Sequence, residues 1–124
     1  MKNLKNYLDE MCQIDFFLRT KNEAVEEWGE DIPMTLLFAN FGKAIAREFS
    51  QMPPNERVSV FNAIEIGMLN GDEALKAVLA AGLLEALYGQ IHDDKGLTEE
   101  VMNCLNDVSK DHLLKWISWG GMEE

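Results

Sequence analysis

Apolar residues recur at steps of three and four along most of the chain, which predicts α-helices throughout. No alternating segment of strand length interrupts this pattern. The first apolar face consists of Leu4, Tyr7, Leu8, Met11 and Ile14. Thr20 and Glu23 match a capping box, at which a new helix would start. Residues 3–28 are therefore predicted to form either one bent helix or two. Gly29 is suited to end this region.

Prolines and glycines mark the bounds of the next helices. Pro33 suits a first helical turn, and the prolines at 53–54 end one helix and open another. We expect that second helix to end at Gly71 in a left-handed conformation, followed at once by Asp72 as the N-cap of a third. The residues expected on its inner face are Val58, Phe61, Ile64, Met68 and Leu69.

The segment 73–88 is apolar on nearly every side, and a helix of that kind is buried by its neighbours. We therefore place it at the centre of the fold. Gly82 in its middle lowers helix propensity by about 1 kcal/mol, and a close crossing with another helix is the simplest compensation. Glu85 is expected either at an exposed edge of this helix or buried against a backbone or side-chain donor, and we favour the edge.

The C-terminal part of the pattern predicts a polar loop at 89–96 and one last helix, capped by Thr98 and ended by the glycines at 120–121. In total we expect five to six helices in one all-α domain over residues 1–124, a compact bundle of antiparallel helices. The pair 54–69 and 73–88 has the size of one helix pair of a HEAT or armadillo repeat.

Charge is the unusual property of the chain. It contains 22 acidic and 11 basic residues, giving a formal net charge of -11. Such a surface repels nucleic acid and anionic membranes, because phosphate binding needs clustered lysines and arginines. It suits a basic protein partner, or it serves solubility alone.

The first residues lack the continuous apolar run of a signal peptide, and we expect no apolar stretch long enough to span a membrane. A cytoplasmic protein is therefore predicted. Cys12 and Cys104 are far apart and outside any CxxC motif, so we expect two free thiols.

Metal and catalytic motifs are weak. The residues that could form a metal site are His92, Asp93 and Asp94, joined by Cys104, Asp111 or His112. They lack the spacing of known metal-binding patterns, which favours a solvated loop, and His112 is expected to stack on Trp116 or to lie at the surface. The sequence contains neither a Gly-x-Ser-x-Gly motif nor a glycine-rich phosphate loop. We expect no enzyme activity, no catalytic residue, no metal and no cofactor.

Five carboxylates fall within nine residues without a basic residue among them, and we call them the acidic strip: Glu23, Glu26, Glu27, Glu30 and Asp31. On a helix, the first four would share one broad face. A solvated face is the simpler interpretation, and a docking surface for a basic protein is the functional one. Trp28 within the strip fits either an interface hot spot or a core anchor. The predicted partner-binding residues are therefore the acidic strip and Trp28.

Two segments resemble a family of small acidic helical bacterial proteins of unassigned function. One is residues 65–87, with an Asn-Gly-Asp-Glu turn, an Ala-Val-Leu-Ala-Ala-Gly core and a Leu-Leu-Glu-Ala-Leu close. The other is the turn from Trp28-Gly29 to Pro33, followed by Leu36-Leu37-Phe38. Members of this family are often suspected to be immunity proteins, the cytosolic inhibitors of secreted or contact-delivered toxins. The resemblance implies a toxin partner and supplies no catalytic residues.

Acidity and this resemblance together predict an immunity-type inhibitor of a cognate toxin, as in contact-dependent growth inhibition. A basic toxin domain, with a nuclease as one candidate, would be bound and neutralised through the acidic surface. The alternative is an adaptor or homo-oligomeric scaffold with no toxin partner.

Overall fold

A computed structural model describes residues 2–120. The regular secondary structure of these residues consists of helices alone, which confirms the predicted all-α fold. The helices are α1 Leu4–Met11, α2 Asp15–Trp28, α3 Met34–Glu48, α4 Pro54–Asn70, α5 Glu73–Ile91, α6 Lys95–Cys104 and α7 Asp107–Ser118. A short 3-10 turn, Phe49–Gln51, follows α3 directly.

Residues 3–28 form two helices rather than one. The chain leaves α1 after Met11, and Ile14 adopts an extended conformation before α2 begins. The capping box predicted at Thr20 was wrong, since Thr20 lies inside α2 and its hydroxyl donates a hydrogen bond to the carbonyl of Phe16, at 2.8 Å. The helix starts earlier, at Asp15, and buries Phe16 and Phe17 in its first turn.

The C-terminal region also contains one more helix than expected. Most of the loop predicted at 89–96 is absent, because α5 continues to the buried Ile91. Asp94, not Thr98, caps α6 by accepting the N–H of Leu97 at 3.0 Å, and the Thr98 hydroxyl donates to the Ile91 carbonyl. The helix ends again after Cys104, so residues 2–120 form seven helices where five or six were expected. Gly120 follows α7 with a φ of 77°, and Gly121 lies outside the described residues.

The prediction that α5 lies at the centre of the fold is confirmed for one side of the helix only. Its leucines are fully buried, and α3 is its most extensive neighbour. The expectation that neighbours cover it on nearly every side was wrong, because Lys76, Ala77 and Ala81 are exposed. The predicted close crossing at Gly82 is also confirmed, since a Cβ there would lie 3.1 Å from the Cβ of Phe38 and 3.2 Å from the carbonyl oxygen of Thr35. Gly42 on α3 is the reciprocal contact, because a Cβ there would collide with the Leu83 carbonyl. The two backbones can approach this closely only because both positions lack a side chain.

The middle of α5 is not a regular α-helix. Residues Val78–Leu84 form a π-helical segment, and the N–H of Glu85 bonds to the carbonyl of Ala80, five residues earlier. Such segments carry more residues per turn than an α-helix and widen it locally. Gly82, within this segment, meets α3 at the crossing.

By length and composition alone, α5 would also qualify as a membrane-crossing helix. The expectation that no stretch of the chain approaches this threshold was therefore wrong. In the fold, its leucines pack against the surrounding helices, as in the core helix of a globular bundle.

The turn between α4 and α5 has the predicted cap but not the predicted backbone conformation. Asp72 caps α5 by accepting the N–H of Leu75 at 2.9 Å. Gly71 has a φ of -77°, so it is not left-handed as expected. A glycine fits this position for steric reasons, since a Cβ would lie 2.6 Å from the Gly67 carbonyl oxygen. The same turn pairs with Lys2 through two backbone hydrogen bonds.

Candidate protein-docking surface

A chain of phenylalanines holds α2 against α3 and determines which side of α2 faces outward. Phe17 of α2 packs edge-on against Phe41 of α3, with ring centroids 5.2 Å apart, and Phe16 and Phe38 extend the row on either side. Thr20 is buried next to them. The carboxylates of the last two turns of α2 are consequently directed away from the core.

All five carboxylates of the acidic strip are exposed. Glu23 and Glu27 lie one turn apart on α2, and Glu26 is rotated by roughly 60° from Glu23 around the helix axis. Glu30 and Asp31 lie in the turn after Gly29, which ends α2 with a φ of 92° as expected. Within residues 2–120, none of these carboxylates has an ion pair within 4 Å. The strip is therefore a region of negative charge without direct ion pairs, and Arg19 attracts Glu23 only from a longer distance.

Trp28 is not a core anchor. It is the last residue of α2, and 54% of its surface is exposed. An exposed tryptophan offers a large apolar area with a hydrogen-bond donor, and that combination is enriched in interface hot spots. Of the two roles that the sequence left open for Trp28, only the surface role is compatible with the structure.

A small cleft separates the acidic side of α2 from α3. Its volume is about 180 Å³, and its walls are formed by Thr20, Glu23, Ala24, Glu27, Asn40 and Arg47. The side-chain nitrogen of Asn40 is buried and has no hydrogen-bond partner among the described residues. Sequence reasoning missed Asn40 and Arg47, because they come from another helix. The available signal was Asn40 itself, a polar residue between the apolar Leu37 and Phe41 of α3.

The two arginines near the strip, Arg19 and Arg47, both interact with Glu48. Arg19 donates to both carboxylate oxygens of Glu48, at 3.0 and 3.1 Å, and this hydrogen bonding raises the pKa of the Arg19 guanidinium. Arg47 lies 3.6 Å from the same carboxylate. Glu48 thus holds both guanidinium groups on the α3 side, so neither forms an ion pair with the strip.

Glu85 is arranged differently from expectation, whereas His112 is partly exposed, which is one of the two positions expected for it. Glu85 is half-buried, and its carboxylate lies 3.0 Å from Nε2 of His112, so the predicted exposed edge was wrong. Trp116 packs edge-on against Tyr88 rather than on His112. His92 stacks against the same Tyr88 ring. Within residues 2–120, no group of three His, Cys, Asp or Glu residues converges as a metal site would. The absence of a bound metal stays a prediction.

Both cysteines are free and half-buried within the described residues. Burial raises the pKa of the Cys12 thiol and of the Cys104 thiol. A reactive cysteine needs the opposite shift, because the thiolate is the nucleophile. The environment of neither thiol therefore favours nucleophilic catalysis.

Comparison of the chain with protein-family models, curated proteins and solved structures finds no match. The resemblance to suspected immunity proteins consequently stays a prediction.

Proposed function

We propose that this protein is an immunity-type inhibitor that acts by binding, without catalysis. It docks on a cognate basic toxin domain through the acidic strip and Trp28, and it neutralises the toxin by covering its positively charged cleft. The observation that supports this most directly is the exposure of five carboxylates without ion pairs in residues 2–120, next to an exposed tryptophan.

Charge and apolar area contribute differently to such a complex. Opposite charges accelerate association and favour the correct partner, most strongly at low salt. Affinity comes mainly from a few well-packed anchors, and aromatic residues are the usual ones. In this protein the carboxylates of the strip would steer the encounter, and Trp28 would supply the packed contact.

The cleft between α2 and α3 is suited to one basic side chain of the partner. Glu23 and Glu27 line it and supply carboxylates for an arginine or a lysine, while Arg47, which also lines it, would stay paired with Glu48. The buried Asn40 nitrogen inside it would donate to a carbonyl oxygen of the entering segment. A nuclease that binds phosphates through arginines and lysines presents such side chains in its own cleft. The acidic strip would thus occupy the place of the substrate phosphates.

Two further features belong to this proposal. The protein acts in the cytoplasm, where a delivered toxin meets its target. The α4–α5 pair packs as a HEAT- or armadillo-like unit, an architecture that commonly presents binding surfaces on stacked helices.

The test is the association rate with the toxin domain encoded next to this protein. We expect the variant in which Glu23, Glu26, Glu27 and Glu30 are all replaced by Lys to associate much more slowly, with a flattened or inverted salt dependence. Its stability should change little, because exposed carboxylates without partners contribute little to folding.

A matched control replaces Asp9, Asp93, Glu99 and Glu100 by Lys, which changes the net charge equally at other exposed sites. Asp94 is left intact in this control because it caps α6. If both variants slow association alike, net charge and not the strip guides docking. If neither does, or if the neighbouring gene product does not bind, the inhibitor proposal fails and the adaptor or scaffold alternative takes its place.

A further inference from the structure

The exposed residues of α4 include no charged residue, although 27% of the chain is charged. Every other helix within residues 2–120 exposes at least one charged side chain. We define the α4 stripe as Asn55, Val58, Ser59, Asn62, Ile66 and Leu69. The charged residues of α4 all lie outside it, and Glu65 and Arg57 are directed toward α7 and the Phe49 turn.

Three of the six residues of the α4 stripe are apolar. Val58, Ile66 and Leu69 have 59%, 44% and 55% of their surface exposed. Val58 and Leu69 had been expected to face inward, and that expectation was wrong, whereas Phe61, Ile64 and Met68 are buried as expected. Apolar residues therefore occupy two opposite sides of α4.

Two apolar residues of the stripe lie symmetrically about Asn62. Val58 and Ile66 each lie four residues from Asn62, a distance of about 6 Å along the helix axis. If a second α4 helix lies antiparallel across the first with its two-fold axis at Asn62, Val58 meets Ile66 of the second copy. A two-fold interface requires such a self-complementary patch, because the same residues form both halves.

We propose that the α4 stripe is the interface of a homodimer, in which two copies of this chain pack antiparallel through α4. The charge distribution favours a second copy over a basic partner, because the stripe itself contains no carboxylate and Glu10, which lines the hollow beside Ile66, is already paired with Lys2 at 2.7 Å. A second copy also carries a net charge of -11, so like charges would repel it across the acidic surfaces. The α4 stripe lets two acidic proteins meet over residues that include no carboxylate.

Asn62 would fix the register of this dimer. Its Oδ1 accepts a hydrogen bond from Nδ2 of Asn106, at 3.0 Å, which orients the side chain on the exposed face. The side-chain nitrogen of Asn62 carries two N–H donors in addition to this Oδ1 acceptor. A single asparagine at the centre of an apolar helix seam is a known device for specifying alignment, since any other register leaves it facing apolar groups.

The size of the stripe limits the strength of the dimer. A helix of the length of α4 spans about 25 Å, so the stripe alone offers on the order of 250 Å². A typical stable interface buries about 800 Å² on each partner. Hollows of about 360 Å³ near Val58 and about 150 Å³ near Ile66 provide further walls for side chains of the second copy. We therefore expect a weak dimer, with a Kd of roughly 10 µM to 1 mM.

Sedimentation velocity of the purified protein tests the proposal directly. We expect a shift from monomer to dimer between about 5 µM and about 1 mM. The dimer should strengthen as salt is raised, because salt screens repulsion between the two acidic copies. This dependence is opposite to that of binding to a basic toxin, so dimerisation and the proposed inhibitor function can fail independently. A protein that remains monomeric over this range in high salt would overturn the dimer.

Substitutions then test whether α4 is the contact. Ile66→Asp should abolish dimerisation, and the matched control Leu114→Asp, at a leucine of α7 that is 51% exposed, should leave it intact. Asn62→Asp keeps an acceptor for Asn106 and should also abolish the dimer, by placing two carboxylates on the two-fold axis. Mixing Asn62→Asp with Asn62→Lys should restore dimers that contain one copy of each. Failure of the mixture to form them, or a dimer that survives Ile66→Asp, would refute the two-fold contact at α4.

Discussion

The carboxylate of Glu65 accepts hydrogen bonds from both the backbone N–H and the hydroxyl of Ser109, at 3.0 and 2.8 Å. It also accepts the N–H of Val108 at 2.8 Å. These are N–H groups of the first turn of α7, and the N-cap residue Asn106 provides no side-chain cap for them. A buried residue of α4 therefore performs the capping role for α7.

Replacing Glu65 by Ala should destabilise the fold by roughly 2–4 kcal/mol, because each buried donor left without a partner costs about 1–3 kcal/mol. Urea denaturation measures this change. Glu99→Ala removes an exposed carboxylate of α6 and should stay within about 0.5 kcal/mol of the wild type. Equal midpoints for the two variants would contradict the capping role.

The same carboxylate makes stability depend on acid pH. Burial alone would raise the pKa of Glu65, but the N–H groups of Val108 and Ser109 and the Ser109 hydroxyl outweigh it, and its pKa lies below the ordinary value. A lowered pKa in the folded state contributes stability above the unfolded-state pKa, near about 4.3. This contribution is lost as the pH falls through the folded-state pKa.

Glu65→Gln cannot titrate, so it should lack this contribution. The difference in free energy of unfolding between wild type and Glu65→Gln should be largest near neutral pH and should shrink as the pH falls below about 4. Unfolding curves recorded from neutral to acid pH measure it. A difference that stays constant with pH would mean that the Glu65 charge contributes nothing to stability.

Leu79→Asp should prevent folding. Leu79 is fully buried in α5, and an unpaired charge there costs several kcal/mol against a total stability of about 5–15 kcal/mol. Ala81→Asp, two residues later on the exposed side of the same helix, should still fold. Circular dichroism during thermal unfolding distinguishes them, and a cooperative transition near the wild-type midpoint for Leu79→Asp would contradict the central position of α5.

Gly42→Ala and Gly89→Ala should have opposite effects, although both lie within helices. A Cβ at Gly42 collides with the Leu83 carbonyl, so α3 and α5 must separate, and we expect a loss of at least about 2 kcal/mol. A Cβ at Gly89 meets no atom within 4 Å, and alanine there should stabilise α5 by up to about 1 kcal/mol. Thermal midpoints test both, and a similar change in both would disprove the tight crossing.

Local signals in the sequence were sufficient for several helix bounds. Pro54 opens α4, Asp72 caps α5 and Gly29 ends α2, because each of these effects involves only residues within one turn. Thr20 shows the limit of this reasoning. Its local pattern is that of a capping box, but burial of the neighbouring phenylalanines favours a helix that has already begun.

The features that were missed depend on distant residues. The break between α6 and α7 is stabilised by Glu65, which is 43 residues away from Val108. Asn40 and the acidic strip meet only after α3 packs on α2. The α4 stripe was missed for another reason. Apolar positions occur on two sides of α4. Their periodicity therefore predicts a helix but does not show which side the rest of the fold covers.

Because of the π-helical segment Val78–Leu84, the deletion of one residue affects α5 differently from a regular α-helix. Removing one residue from a regular helix rotates everything beyond the deletion by about 100° and turns its buried side outward. Within a π segment, the same deletion lets the helix return to regular α geometry while Leu75 and Leu87 keep facing the core. In an evolving or engineered chain, Val78–Leu84 is thus the stretch of the central helix where a residue can be lost without a change of fold.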